Sequence, residues 1–236
     1  MIVAATPAGR LLLIFAKEPR PGMAKTRLAA DLGSDAADSL YRAFLADTAR
    51  RASHVHRRLG AHVRWVCTPS APDFRAALES LAPGATSDSS FIAFPDEGLT
   101  AQQDNQLRWA RAEAFGQVLI TGTDTPHVGA GALINAFEQL DDTDVVLGPA
   151  GDGGYYMLGL RAGWDLIAGL DMRSPTVLDD AVAAARGRGL SVELAPPHTD
   201  IDTAEDLRNL IRQGALLPEA CPATWRVVGD LRLWGA

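Results

Sequence analysis

A chain of 236 residues, 47% of them hydrophobic, is long enough to bury a full core as one domain. Its net charge of −7 argues against a general nucleic-acid binder, which would carry a basic surplus. No run approaches the ~18 apolar residues that a membrane-spanning helix needs, so no span is expected. The two cysteines, Cys67 and Cys221, lie far apart and without metal-ligand spacing, which fits a reducing cytoplasm. Residues 1–7 lack the basic start and apolar core of a signal peptide, so a cytoplasmic protein is expected.

Leu11, Leu12, Leu13 and Ile14 are too short an apolar run for a helix and read as a buried strand. The loop that follows, from Phe15 to Leu28, carries Lys17, Arg20, Lys25 and Arg27. Pro19 and Pro21 lock φ, so these cations are held on a stiff loop. A basic loop inside an acidic protein points to one local anionic ligand. Candidate phosphate and nucleotide contacts are Ala16, Lys17, Pro21, Gly22, Lys25, Thr26 and Arg27. A Walker A loop is excluded, because Pro19 and Ala24 stand where it needs glycine. The absence of a G-x-G-x-x-G after the strand argues against a Rossmann dinucleotide site. The bland alternative is a solvated surface loop.

Downstream, Ser34 can cap a helix through Leu40, Phe44, Ala49 and Ala52 that stops at Gly60. A strand over 61–67, a helix over 72–81, a short strand over 91–94 and a helix over 99–115 follow. Residues 117–120 form a buried strand that ends in Thr121-Gly122-Thr123-Asp124-Thr125-Pro126, ahead of a helix through Leu133 and Phe137. Strands over 144–149 and 155–160 flank a glycine-rich turn, and Ser174-Pro175 opens another helix. Residues 190–194 are a last strand, and Thr203 caps a helix over 204–211. The tail, 224–234, alternates Val and Leu with Arg around Gly229-Asp230 and reads as a hairpin. Its Val227, Val228, Leu231 and Leu233 offer a homodimer contact. Alternating strands and helices predict an α/β fold, a mostly parallel sheet covered on both faces.

Ligands of such sheets sit beyond the carboxyl ends of the strands, where three acidic turns fall. Asp124 follows its strand, with helix capping as the alternative role. Asp152 lies among Gly151, Gly153 and Gly154, a turn that permits close backbone approach, and Tyr155 follows. Asp200 and Asp202 precede the last major helix, where the alternative role is capping by Thr203 or Asp202 with Asp206 at the capping-box position, though two Asp are more than a cap requires. Mg²⁺ favours one or two carboxylates plus phosphate oxygens. A metal on Asp124 and on Asp202 or Asp200, facing Lys25 and Arg27, would neutralise a diphosphate from both sides. His127 and His198 lie beside these turns and are lesser candidates.

Four motifs now stand in order: Lys17-x-Pro19-x-Pro21-Gly22-x-x-Lys25-Thr26-Arg27-Leu28, Gly122-Thr123-Asp124-Thr125-Pro126, Gly148-Pro149-Ala150-x-Asp152-Gly153-Gly154-Tyr155-Tyr156 and Asp200-Ile201-Asp202-Thr203. Together they resemble a bacterial family of GT-A-fold, glycosyltransferase-like proteins, within the nucleotide-diphospho-sugar transferase superfamily, over residues 10–213. The chain is similar, more distantly, to phospholactate, phosphoenolpyruvate and molybdenum-cofactor guanylyltransferases. The resemblance implies a single domain with an extension over 214–236. It also implies a nucleotide over the first strand's loop and Mg²⁺ or Mn²⁺ on Asp124 with Asp202, or second Asp200. Catalytic roles fall to Lys25, Arg27 and Asp124, and substrate contacts to Asp152, Gly153, Gly154 and Tyr155. The family's acidic Gly-Asp-Leu-Gly turn is replaced here by residues 99–108, and its Trp-Ser/Thr pair by Arg173-Ser174-Pro175-Thr176.

Three functions remain in view. Glycosyl transfer from a nucleotide sugar to a small-molecule acceptor leads narrowly. Nucleotidyl transfer from an NTP, releasing pyrophosphate, draws on the generous cation count. A catalytically silent nucleotide-binding module is the third.

Overall fold

In β1 (Arg10–Lys17), Leu11, Leu12, Leu13 and Ile14 are all fully buried. Successive strand residues point to opposite faces, so Leu12 and Ile14 enter one apolar cluster and Leu11 and Leu13 the other. A strand apolar on both sides has to be covered on both. The computed structural model, which describes residues 9–94, 98–162 and 164–235, shows how the chain does this.

The chain continues through α1 (Thr26–Leu32), α2 (Ser34–Leu59), β2 (His62–Thr68), α3 (Ala71–Leu81), β3 (Ser89–Ala93) and α4 (Leu99–Ala112). Then come β4 (Gln117–Thr121), α5 (Ala130–Gln139), β5 (Val145–Pro149), β6 (Tyr155–Leu160) and α6 (Val177–Gly187). It closes with β7 (Val192–Leu194), α7 (Ala204–Arg212) and α8 (Pro222–Asp230). The seven strands form one sheet in the order β3-β2-β1-β4-β6-β5-β7. Every pairing is parallel except those of β6, which runs antiparallel to both β4 and β5. Leu107 and Ala110 of α4 and Ala181 and Ala185 of α6 cover one face. Residues of α2, α3, α5, α7 and α8 cover the other. The expected mixed, mostly parallel sheet between two helical layers is therefore present.

Four local expectations need correction. The tail is a helix rather than a hairpin. Pro222 sits in its first turn, and buried Thr224 and Val228, four residues apart, share the face turned to α2. The carboxylate of Asp47 accepts from Ala223 N at 2.9 Å and from Thr224 N at 2.8 Å, which caps that helix from α2. Val228 is thus spent inside the chain, and the row proposed for a dimer contact does not form. Second, α1 had no counterpart in the sequence pattern. Third, α2 is capped by Gly33, with Ser34 already its first residue; Gly60 does end it, at φ 65°. Fourth, α6 begins at Val177, because Ser174 and Thr176 hydrogen-bond each other in a preceding turn.

Candidate active site

At the carboxyl end of β1 the chain turns sharply and is pinned to α2 by its main chain. Tyr41 Oη accepts from Lys17 N at 2.9 Å and donates to Lys17 O at 2.8 Å. Arg42 donates to Pro19 O at 2.8 Å. Gly22 takes a φ of 75°, and Lys25, a non-glycine, takes φ 53° and ψ 42° as the residue before α1. A left-handed conformation is disfavoured for a residue with a Cβ and persists only when its surroundings hold it. What holds Lys25 is electrostatic.

The Lys25 ammonium lies 2.8 Å from Asp124 Oδ1 and 2.9 Å from Asp202 Oδ1, and its side chain is only 4% exposed. Arg27 Nη2 adds a contact to Asp202 Oδ2 at 2.6 Å. Burial alone would lower the lysine's pKa, but the combined attraction of Asp124 and Asp202 outweighs it and holds the ammonium above its ordinary value. Burial likewise pushes Asp202 up, and Lys25 and then Arg27 more than reverse this, leaving it below the usual carboxylate range.

Neither aspartate is occupied with helix capping. Gly129 precedes α5, so Asp124 stands free of that helix. Thr203 and Asp206 complete a capping box on α7 by themselves. The two acidic turns are tied side by side, with Ile201 N donating to Asp124 O at 2.9 Å. Behind them, buried Arg51 of α2 donates to Thr125 O at 2.9 Å and to Val128 O at 2.8 Å. Asp200 faces the same centre from deeper in the protein. Burial first, then the nearby charge of Asp124, pushes its carboxyl up to about 7, and its Oδ1 has no hydrogen-bond partner.

Two cavities adjoin along Asp124. The larger, about 570 Å³, brings Ala16, Lys17, Lys25, Thr26, Arg27, Asp124 and Asp202 together, joined by Tyr41, Gln102 and Arg173. The smaller, about 170 Å³, is lined by Phe15, Leu99, Gln103, Tyr155, Met172, Asp124 and Asp200 among others. Pro21 and Gly22 lie outside both, in the exposed turn that shapes the loop. Arg20 turns away to pair with Glu18 and Asp73. Asp152 also points elsewhere: its Oδ1 accepts from Gly154 N at 2.9 Å and stabilises the turn between β5 and β6. In that turn Gly153 has φ 86°, and an added Cβ would lie 1.9 Å from Pro175 O. Of that motif only the tyrosines reach the smaller cavity.

His127 and His198 line neither cavity. They pack ring on ring at 5.3 Å, and both nitrogens of His127 lack partners. Tyr41, Gln103 and Arg173 were not singled out from sequence. Tyr41 sits within an ordinary helical pattern, and Gln103 and Arg173 fall in the two segments that depart from the family motifs.

Among the described residues no group of three or more His, Cys, Asp or Glu side chains stands ready to hold a metal alone. The donor set is instead two hard carboxylate oxygens converging on one ammonium. That fits a dication completing its shell with phosphate and water.

A family profile described as "Uncharacterized protein conserved in bacteria (DUF2064)" matches residues 45–174, which include Asp124 and the Gly148–Tyr156 turn. The chain is 33% identical over 107 residues to the 2-phospho-L-lactate guanylyltransferase of Methanothermobacter thermautotrophicus. That match covers 44% of this chain and 46% of the relative, so the chain spans about half the length of the curated relative it matches. A crystal structure from Desulfovibrio desulfuricans G20, described as a candidate nucleotide-diphospho-sugar transferase, matches with a TM-score of 0.81 at 27% identity. It covers 95% of this chain and 97% of that one. A Mycobacterium tuberculosis H37Rv protein solved in complex with manganese shares the fold at 15% identity, with a TM-score of 0.50 over 86% of this chain and 98% of that one.

Proposed function

The chain belongs to the bacterial DUF2064 family, and from its site we propose a divalent-metal-dependent transferase that moves a glycosyl group from a nucleoside-diphospho-sugar to a small acceptor. One observation carries this reading: Asp124 and Asp202, from two different turns, converge on the Lys25 ammonium inside a cation-lined cavity. The likeness to a candidate nucleotide-diphospho-sugar transferase supports it.

Asp124 and Asp202 would hold Mg²⁺ or Mn²⁺, completing its shell with phosphate oxygens and water. When bound, the metal neutralises diphosphate charge and so favours departure of the nucleoside diphosphate. Lys17, Lys25, Arg27 and Arg173 line the same cavity and would surround the charge that develops on the leaving diphosphate. Phe15, Val66 and Leu99 supply an apolar wall that limits water around the donor. The acceptor oxygen bonds to the donor's anomeric carbon as that carbon's bond to the diphosphate breaks. The electron pair leaves with the nucleoside diphosphate, and the acceptor's proton passes to water.

The second reading is nucleotidyl transfer from an NTP to a phosphorylated acceptor, favoured by the identity to a guanylyltransferase. A thermal-shift panel of NTPs, NDPs and NDP-sugars, with and without Mg²⁺, separates the two on wild type and Asp124→Ala. Metal-dependent stabilisation by an NDP-sugar, lost in the variant, is the expected result. Stabilisation confined to NTPs would replace the glycosyl reading with the nucleotidyl one. No shift with any nucleotide would sink both.

A further inference from the structure

We propose that a third cavity, about 490 Å³ and separate from the candidate active site, binds a phosphate monoester whose organic part is not aromatic. It lies between the second half of α2, the loop from α3 to β3, the start of α5 and the segment that enters α8. No residue lines both this cavity and either of the two beside Asp124. The proposal therefore stands or falls independently of the transferase reading.

Charge is the first argument. Arg50, Arg51, His54 and Arg57 recur at helical spacing on α2, and all four line the cavity. Arg51 is buried, and its Nη1 donates to two carbonyls, so its charge is in direct contact with no carboxylate among the described residues. Arg57 donates to Ser53 Oγ at 2.6 Å and, among the described residues, also meets no carboxylate. Of the three arginines, Arg50 does touch one, Asp47 Oδ1 at 3.1 Å. The opposing charges in the lining are Asp47 and Glu219. Asp47 is already engaged by Arg50, by Ala223 N and by the amide and hydroxyl of Thr224, while Glu219 is exposed. Like charges this close on one helix repel, and an anion among them relieves that repulsion.

The donors are of a kind that takes a phosphate. Guanidinium groups match its oxygens in pairs, and each has more N–H donors than the single contacts of Arg50 and Arg57 use. At the cavity's edge, α5 starts after Gly129 with no side-chain cap and no acidic residue in its first turn. A Cβ placed on Gly129 would meet nothing within 4 Å, so the first amides of α5 are open to an oxyanion as well. A bare phosphate leaves most of the 490 Å³ unfilled, and Pro83, Ala85, Ala130 and Pro222 add aliphatic lining for an organic part. No Phe, Tyr or Trp stands among the described lining residues, so a nucleobase finds no such ring to stack on. A sugar phosphate or similar ester fits this combination of charge and aliphatic surface.

Amide NMR titrations with ribose, ribose 5-phosphate, inorganic phosphate and AMP test the proposal. Ribose 5-phosphate should bind most tightly and shift the amides of Ala130 and Gly131 to saturation, and ribose should shift neither. Arg57→Gln should weaken this binding about tenfold, the effect of one lost charge-assisted hydrogen bond. Glu219→Gln should tighten it about threefold by removing the competing charge. Both side chains are exposed, so both variants keep the core intact. Arg27→Gln, in the loop of the candidate active site, should leave the Ala130 and Gly131 shifts unchanged. Inorganic phosphate binding at these amides as tightly as the ester would overturn the assignment, as would tighter binding of AMP there. So would shifts confined to the loop of Lys25 and Arg27, or an affinity unchanged in both Arg57→Gln and Glu219→Gln.

Discussion

If Asp124 and Asp202 hold a divalent cation as proposed, Lys25 stands in its place, and its removal tests that equivalence. Lys25→Met keeps the side chain's length and leaves Asp124 and Asp202 facing each other with only Arg27 beside them. Stability should fall by about 1–2 kcal/mol, since both carboxylates remain partly exposed and water screens them. Millimolar Mn²⁺ without nucleotide should then raise the melting temperature of Lys25→Met more than that of wild type. Equal gains in both proteins would mean the two carboxylates form no cation site. Gly153→Ala tests the other side of the site. The new methyl meets Pro175 O at 1.9 Å and must push away the loop that carries Met172 and Arg173. A loss of about 2 kcal/mol or more is expected in urea melts, because the residue also gains a strained positive φ. At this scale the sequence was most legible where residue types carry their own chemistry. Lys25, Arg27, Asp124 and Asp202, singled out by their types, come together, in direct ion pairs rather than across a ligand. Arg20, Pro21 and Gly22 do not, because loop geometry sends Arg20 to Glu18. Gln103 was legible only as part of the divergent segment 99–108; its unpartnered Oε1 is a fact of packing.

Among the elements, α8 was the misreading with the most to teach. Its alternation of apolar and basic residues suits a strand as well as a short helix, and Gly229-Asp230 imitates a hairpin turn. What decides between them lies 176 residues away in sequence, in the carboxylate of Asp47 that receives Ala223 N. Tertiary contact overrides local pattern. Asp47→Ala should therefore cost about 2–3 kcal/mol, as three hydrogen bonds to a buried carboxylate are lost at once. Hydrogen exchange should show the first amides of α8 losing protection before those of α2. Unchanged protection at Ala223 and Thr224 would show that the cap contributes nothing. The buried strands were easier, because four adjacent apolar residues have few other uses in a chain of this composition.

For the whole molecule, acid should act through His127. Burial, then the charges of His198 and Arg51, depress its pKa from 6.5 to about 4. Above pH 6.5 the ring is neutral in both folded and unfolded chains, and its contribution to stability is fully present. As the pH falls from 6.5 towards 4, the unfolded chain takes up the proton first and stability declines. The loss attributable to His127 should reach at most about 3 kcal/mol. Urea melts at pH 7 and pH 4.5 should show a smaller acid loss in His127→Gln than in wild type. Parallel losses in the two proteins would rule this group out as the cause.

One helix holds the loops of the candidate site mainly through main-chain atoms. From α2, Tyr41 grips the amide and carbonyl of Lys17, Arg42 the carbonyl of Pro19, and Arg51 the carbonyls of Thr125 and Val128. Asp47 does the same for the amides of the last helix. Apart from the Thr224 hydroxyl, which Asp47 also accepts, none of these grips reads the side chain of the residue it holds. Loop sequences can therefore diverge over evolutionary time, trading one donor or acceptor for another, while their main chains stay where α2 put them. Variety among relatives should concentrate in loop side chains, with Tyr41, Arg42, Asp47 and Arg51 as the positions a lineage can least easily abandon.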